Sequence, residues 1–256
     1  MITMAKNTPS KQSGLIMPKY FPFSAYRKID SIMCAQNKKY PQSVSEFISA
    51  WKAVAYRFYT CYESNEGFTK SLKKAGDCPN HPERYKQERD LFHFFVNGYS
   101  TLESFGYALY MIASTVKPSF FPIKSSNLEA IYIGTTCDKL NSERNGFPNE
   151  RITDELNQLQ NSPEFKEWKK VRHALIHKIS PGRTYTIESN IIVSSNGIPI
   201  GGSTKRGKTF WKINNGITIN IDKNTTSSRF SWLENSLINL MDAAQDFTSM
   251  YIKLPF

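Results

Sequence analysis

The sequence is poor in cysteine and histidine, and this scarcity limits the metal sites that it can form. It has four cysteines and four histidines in 256 residues. The cysteines lack the short spacing of zinc sites and redox motifs; they are Cys34, Cys61, Cys78 and Cys137. A metal site on His173 and His177 would have only His81 and His93 as further histidine ligands. We therefore expect no metal and no other cofactor, and we interpret the cysteines as reduced thiols of a cytoplasmic protein.

Long apolar runs are also missing. No stretch approaches the roughly 20 consecutive apolar residues of a transmembrane helix, and the first residues, MITMAKNTPSKQSG, have no apolar block like that of a signal peptide. Acidic side chains are scarce too: the chain has 22 Asp and Glu residues but 33 Lys and Arg residues, which gives a net charge of +11. This excess favours a polyanionic partner, with nucleic acid ahead of a membrane surface. An ordinary soluble basic protein would show the same composition.

Apolar and aromatic residues are abundant, at 39% and 13% of the chain, which is enough to bury a sizeable core. Residues 1–40 are polar and contain prolines, so we expect an N-terminal arm with little regular structure. Short alternating β-branched runs with a hairpin turn signal lie between about 184 and 222. The sequence predicts a mainly α fold, with a single helical domain over 41–256 and a small β-hairpin insertion before the last helix. Six segments are predicted to be helical: 43–74, 83–115, 127–142, 151–161, 163–179 and 228–253.

The segment "EWKKVRHALIHKISPGR", residues 167–183, belongs mostly to the predicted helix 163–179. Ser162 is suited to cap this helix, and Pro163 to be its first residue. At about 100° per residue, one face is apolar and Arg172 falls within it. A guanidinium does not shed its charge, so burying one requires a partner or a groove. The apolar residues of that face are Phe165, Trp168, Val171, Leu175, Ile176 and Ile179.

Two explanations of Arg172 remain open. In the first, its side chain reaches solvent or pairs with a core carboxylate, and Glu103 in the apolar helix 83–115 is the candidate partner. In the second, Arg172 holds a phosphate while a histidine moves a proton. His173 and His177 lie four residues apart and so share a flank of the helix. Histidines in such positions are often ordinary surface residues.

The segment "GSTKRGKT", residues 202–209, matches the P-loop pattern of phosphate-binding NTPases. A P-loop needs a strand before it and a helix after it, so that backbone amides and a helix N-terminus surround the phosphates. The residues that follow are strand-like, and too little chain remains for the usual parallel sheet. We prefer a mobile basic loop for binding RNA, with a solvated hairpin tip as the alternative. In that loop Lys205, Arg206 and Lys208 would contact phosphates. Trp211 would offer a ring on which a base stacks.

The run "RHALIH", from Arg172 to His177, resembles the signature of the HEPN superfamily. That signature is an Arg, four to six residues and then a His, usually with a polar residue directly after the Arg. His173 occupies the polar position. The motif lies late in a helix and follows a large apolar helix, and the chain looks like bacterial HEPN-like proteins over roughly 90–185 and in its last helix. The resemblance implies an α-helical bundle, commonly dimeric, that cleaves RNA without a metal in toxin–antitoxin pairs or antiphage defence.

The resemblance also implies roles for single residues. Arg172 would stabilise the charge on the phosphate, and His177 would take or give a proton near neutral pH. His173 would orient or polarise the reacting group. Lys170 and Lys178 would contribute to RNA binding. In one toxin branch an antitoxin modifies a Tyr two residues after the His, but Ile179 occupies that position here.

The partners implied are RNA, a second copy of the chain and a restraining antitoxin or regulatory protein. A homodimer would bring two motifs together into one cleft. Some HEPN proteins have lost catalysis, so a non-catalytic RNA-binding or protein-binding module is the alternative to a ribonuclease.

Overall fold

The computed structural model describes residues 11–12, 15–144, 146–177, 181–193, 199–213 and 217–253. Within them the chain is mainly helical, with a three-stranded antiparallel sheet before the last helix. This confirms the prediction of a mainly α fold with a small β insertion before the last helix. The helices are α1 (Phe23–Cys34), α2 (Pro41–Ala75), α3 (His81–Val116), α4 (Ile133–Leu140), α5 (Arg151–Asn161), α6 (Pro163–His177) and α7 (Ser227–Tyr251). The strands are β1 (Lys11–Gln12), β2 (Leu15–Ile16), β3 (Gly182–Val193), β4 (Pro199–Ile213) and β5 (Ile217–Asn220).

Helices α2 and α3 form a long hairpin at the centre of the fold. Gly76 ends α2 with a φ of 71°, a left-handed conformation that residues with a side chain rarely adopt. The side chain of Asn80 then caps α3 by accepting a hydrogen bond from the Glu83 amide, and Pro82 lies in the first turn. Both helices contribute buried aromatic residues to the core of the fold.

Helix α1 corrects the prediction for residues 1–40, because part of the expected arm is a helix in the core. Tyr26 and Trp51 stack with their ring centroids 4.9 Å apart. Each ring also donates a hydrogen bond of 3.1 Å to the backbone carbonyl of the other residue. Helix α1 buries Ile29 and Met33 completely. Its buried residues recur at helical spacing, a local signal that the prediction of an irregular arm missed; they are Ala25, Tyr26, Ile29, Ile32 and Met33.

The sheet contains two antiparallel pairings, β3 with β4 and β4 with β5. The β insertion is therefore placed as predicted, with one more strand than a simple hairpin. Residues 202–209 lie inside β4, paired with β3 from Gly202 onward. This overturns both the P-loop alternative and the preferred mobile loop, because an extended strand supplies no ring of amides around a phosphate. The turn signal at 214–216 lies outside the described residues.

The sheet is attached to the α2–α3 turn by charged side chains. The Asp77 carboxylate accepts hydrogen bonds from Arg206 and Thr209 on β4. Arg183 on β3, only 3% exposed, donates to the Asp77 carbonyl at 2.9 Å and to Gln87 at 2.8 Å. Burial lowers the pKa of Arg183, and the Glu88 carboxylate opposes that effect. Asp77 and Arg183 therefore hold the sheet to the helices.

Trp211 also requires a correction. Its ring is 1% exposed and stacks on Phe95 with centroids 6.1 Å apart. A nucleic-acid base has no access to that ring, so the predicted stacking face is wrong. Alternation along β4 turns Trp211 toward α3, while Lys208 and Lys212 point to solvent.

In the part of the chain that is described, no helix combines the length and the apolar composition that a membrane crossing requires.

Candidate functional site

Helix α6 begins as predicted. Ser162 caps it by accepting a hydrogen bond of 3.2 Å from the Phe165 amide. Trp168 is fully buried against α3 directly over Gly98, where a Cβ would lie 1.8 Å from the indole. The buried side chains of α6 are Phe165, Trp168, Val171, Ala174 and Leu175.

The apolar face predicted for α6 is only partly buried. Ile176 is 41% exposed, which corrects its assignment to the core. Ile179 and Lys178 lie outside the described residues. Ile176 lies within the Arg172–His177 motif, and single exposed apolar side chains are common on protein surfaces.

Arg172 lies at the edge of the contact between α6 and α3, partly buried. Its guanidinium carbon is 5.9 Å from the centroid of the Tyr99 ring, within the range of a cation–π contact. Its Nε is buried and has no hydrogen-bond partner. Leaving a buried donor of a charged group unpaired costs free energy, and because this nitrogen is buried a ligand can approach only the rest of the guanidinium.

Glu103, the predicted partner of Arg172, bonds elsewhere. Its carboxylate accepts a hydrogen bond of 3.1 Å from the Ile133 amide at the start of α4. The Tyr99 hydroxyl lies beside it, and burial first, then the Glu103 carboxylate, raises the pKa of Tyr99 well above its usual range. Arg172 and Glu103 thus meet through Tyr99, and no ion pair joins them directly among the described side chains.

Arg57 on α2 belongs to the same group of side chains, although no motif indicated it. Its Nη1 donates to the Ser100 carbonyl at 3.1 Å, one residue from Tyr99. Burial lowers the pKa of Arg57, the positive charge of Arg172 lowers it further, and Glu103 opposes both effects. The residues Arg57, Tyr99, Glu103 and Arg172 are called the arginine cluster below. The sequence contains one weak signal for Arg57, which borders the apolar face of its helix, whereas Arg172 falls within the apolar face of α6.

Both histidines of the motif belong to α6. His173 is exposed, and His177 is the last residue of the helix, with a side chain outside the described set. The lysines of α6, Lys166, Lys169 and Lys170, are exposed on the outer side of the helix.

The basic residues predicted on the β insertion form a separate group. Lys205 and Lys208 are exposed on β4, and Arg206 is paired with Asp77 rather than with the arginine cluster.

Within the described residues, no group of three or more histidine, cysteine, aspartate or glutamate side chains is placed to hold a metal ion. No match to this chain was found among protein-family models, curated proteins or solved structures, so the residues of the site themselves support its interpretation.

Proposed function

We propose that this chain is a metal-independent endoribonuclease of the HEPN type, acting in the cytoplasm as a toxin or an antiphage defence protein. The observation that carries the proposal is the state of Arg172. Arg172 is partly buried, its guanidinium lies against the Tyr99 ring, and among the described side chains no carboxylate forms an ion pair with it. A phosphate oxygen is a fitting acceptor for such a group. His177 follows at the end of the same helix, at the spacing of the family motif.

The proposed reaction needs only a phosphate ligand and groups that move protons. The RNA 2′-hydroxyl loses its proton to a histidine and attacks the adjacent phosphorus. The bond from phosphorus to the 5′-oxygen breaks, and that oxygen receives a proton from a second group of the site. The products are a 2′,3′-cyclic phosphate and a 5′-hydroxyl. A histidine with a pKa of about 6.5 exchanges protons readily near neutral pH, and Arg172 stabilises the charge that builds on the phosphate.

The dimer is part of the proposal because two proton transfers are most simply shared between two groups, which two facing motifs would supply. A two-fold axis near α6 would bring two motifs together with one surface on each chain. The exposed Ile176 lies on that surface, and the exposed lysines of α6 would form its basic rim. A partner protein that restrains the nuclease belongs to the same proposal.

The second candidate function is a non-catalytic RNA-binding module. It is favoured by the exposure of the lysines on α6 and β4 together with the net charge of +11, because these attract RNA without any chemistry.

The deciding experiment incubates the purified protein with RNA in the presence of EDTA and identifies the ends of the products. Cleavage that leaves cyclic or 3′-phosphate ends supports the nuclease, whereas a strict requirement for added Mg²⁺ or 5′-phosphate ends refutes it. Arg172→Ala and His177→Ala should each abolish cleavage with little change in thermal melting. The matched controls are Arg27→Ala and His93→Ala, since both residues are exposed and lie on other helices. Binding of RNA without cleavage would select the second candidate.

A further inference from the structure

A groove between α2 and α3 opens beside the arginine cluster. Its volume is about 280 Å³, and one wall belongs to each helix. Ligand pockets in proteins usually enclose roughly 300–1,000 Å³, so this groove is suited to a small unit such as one nucleotide. Its polar side chains fall into two groups: Arg57, Glu103 and Ser104 at one end, and Glu46, Ser49 and Tyr107 at the other.

The α2 wall is a single stripe of side chains. At about 100° per residue, positions 46, 50, 53 and 57 fall within about 60° of one another. Ala50 and Ala53 lie between the two charged residues and line the groove with short side chains. They leave room along the middle of the stripe, which a larger residue at either position would fill. The stripe therefore separates a positive end from a negative end by about 16 Å of helix, at 1.5 Å per residue.

The positive end is continuous with the proposed phosphate site. Glu103 lines the groove and also lies beside Tyr99, against which Arg172 is held. Arg57 is fixed at this end by its bonds to the Ser100 carbonyl and the Ser104 hydroxyl. Two guanidiniums and one carboxylate leave one positive charge uncompensated in the arginine cluster. A phosphodiester carries one negative charge, and it would relieve the repulsion between the two arginines.

The other end presents a hydrogen-bond acceptor. The Tyr107 hydroxyl donates to Glu46 Oε2 at 2.9 Å, which holds the carboxylate in place. Oε1 of Glu46 remains available in this arrangement, and a carboxylate on a groove wall accepts from the amino groups of bases. Glu46 cannot donate to the carbonyl oxygen at the corresponding position of uracil. The groove should therefore accept bases with an amino group more readily than uracil.

We infer that this groove is a nucleotide subsite next to the phosphate held by Arg172. Arg57 binds the phosphate on the groove side, and Glu46 reads the edge of the base. The inference rests on the proposed function, since it names the part of the RNA that the same site holds.

The test measures cleavage and binding of short oligo(C), oligo(A) and oligo(U) RNAs by the wild type and by variants of the two ends. Arg57→Gln keeps a donor for the Ser100 carbonyl but removes the charge, and Arg57→Lys keeps the charge. Arg57→Gln should lower kcat/KM about tenfold or more and should reduce the salt dependence of RNA binding by about one phosphate contact. Arg57→Lys should recover part of the loss. Lys52→Ala is the control, because Lys52 is exposed on α2 and does not line the groove.

The base preference is tested at Glu46. The wild type should act on oligo(C) and oligo(A) better than on oligo(U), and Glu46→Gln should reduce this difference because an amide can also donate to uracil. Thermal melting of each variant shows whether a loss of activity reflects unfolding, and Arg57→Lys remains informative if Arg57→Gln is unstable.

The outcomes separate the inference from the function on which it rests. A wild type that cleaves or binds RNA while folded Arg57→Gln and Glu46→Gln behave like Lys52→Ala would overturn the subsite and leave the proposed function standing. A wild type that neither binds nor cleaves any of the RNAs would overturn both.

Discussion

Glu167 and Arg229 form a two-pronged ion pair between α6 and α7. Arg229 Nε lies 2.9 Å from Glu167 Oε2, and Nη2 lies 2.8 Å from Oε1. Arg229 also donates to the Thr225 carbonyl at 2.7 Å, and its guanidinium is 5.9 Å from the Phe95 ring. The side chains are 22% and 34% exposed, so water only partly screens the pair. This contact fixes the first half of the helix that carries Arg172.

Replacing Arg229 should destabilise the protein because it leaves the Glu167 carboxylate partly buried without its partner. Arg229→Ala is expected to lower the free energy of unfolding by about 1–3 kcal/mol, measured by urea denaturation. The control is Arg151→Ala, whose pair with Asp246 has both side chains more than half exposed. Exposed pairs contribute about 0–1 kcal/mol. Equal losses in the two variants would show that the Glu167–Arg229 pair contributes no more to the free energy of unfolding than an exposed pair does.

Helix positions followed from the sequence wherever apolar periodicity coincided with a stop or start signal. The α2–α3 hairpin has Gly76, Asn80 and Pro82 at its turn, and α6 has Ser162 and Pro163 at its start. These signals act locally, so a single sequence contains them. The alternating β-branched residues likewise indicated where the sheet lies.

The remaining features depend on contacts between residues far apart in the chain. Helix α1 has a helical apolar pattern of its own, but its burial depends on the contact of Tyr26 with Trp51 of α2, which the local sequence does not show. Trp211 is turned inward by its strand register and by Phe95 of α3. Arg57 joins the arginine cluster only because α2 lies beside α3. A motif search finds Arg172 and cannot find Arg57, since their relation exists only in the folded chain.

Substitution should destabilise the protein strongly at Trp211 and hardly at all at Lys208. Trp211→Ala removes a fully buried ring and is expected to cost about 3–5 kcal/mol of stability, as large aromatic deletions in cores do. Lys208 is exposed, so Lys208→Ala should change the free energy of unfolding by about 0.5 kcal/mol or less. Chemical denaturation measures both. A Trp211→Ala protein with wild-type stability and weakened RNA binding would contradict the buried position of the ring.

Glu234 provides a prediction about pH. Burial raises the pKa of its carboxyl above the ordinary value of 4.5. Between that value and the raised pKa, the folded state binds more protons than the unfolded state, so stability falls as the pH rises through this window. At neutral pH the charged carboxylate is partly desolvated in the folded protein and therefore unfavourable.

Glu234→Gln should accordingly raise the melting temperature at neutral pH. The difference from the wild type should shrink as the pH is lowered and vanish well below pH 4.5, where Glu234 is neutral in both states. Thermal melting across a pH series measures this, with Glu143→Gln as the control because Glu143 is exposed. A gain that persists unchanged at low pH would mean that the amide stabilises by packing and not by removing charge.

The composite dimer can be tested by mixing two inactive variants. His177→Ala subunits keep Arg172, and Arg172→Ala subunits keep His177, so a mixed dimer holds one of each across the two-fold axis. After unfolding and refolding together, about half of the dimers should be mixed if pairing is random. The mixture should regain part of the activity that each variant lacks alone, measured with a labelled RNA.

The control for this experiment disrupts the surface that would join the subunits. Ile176→Asp places a charge on the exposed apolar position of α6, where it should weaken the dimer without disturbing the bundle, because Ile176 lies outside the core. The recovered activity should then disappear from mixtures that also carry Ile176→Asp, and sedimentation should show monomers. A wild-type protein that sediments as a monomer while cleaving RNA at full rate would rule out a site built from two chains.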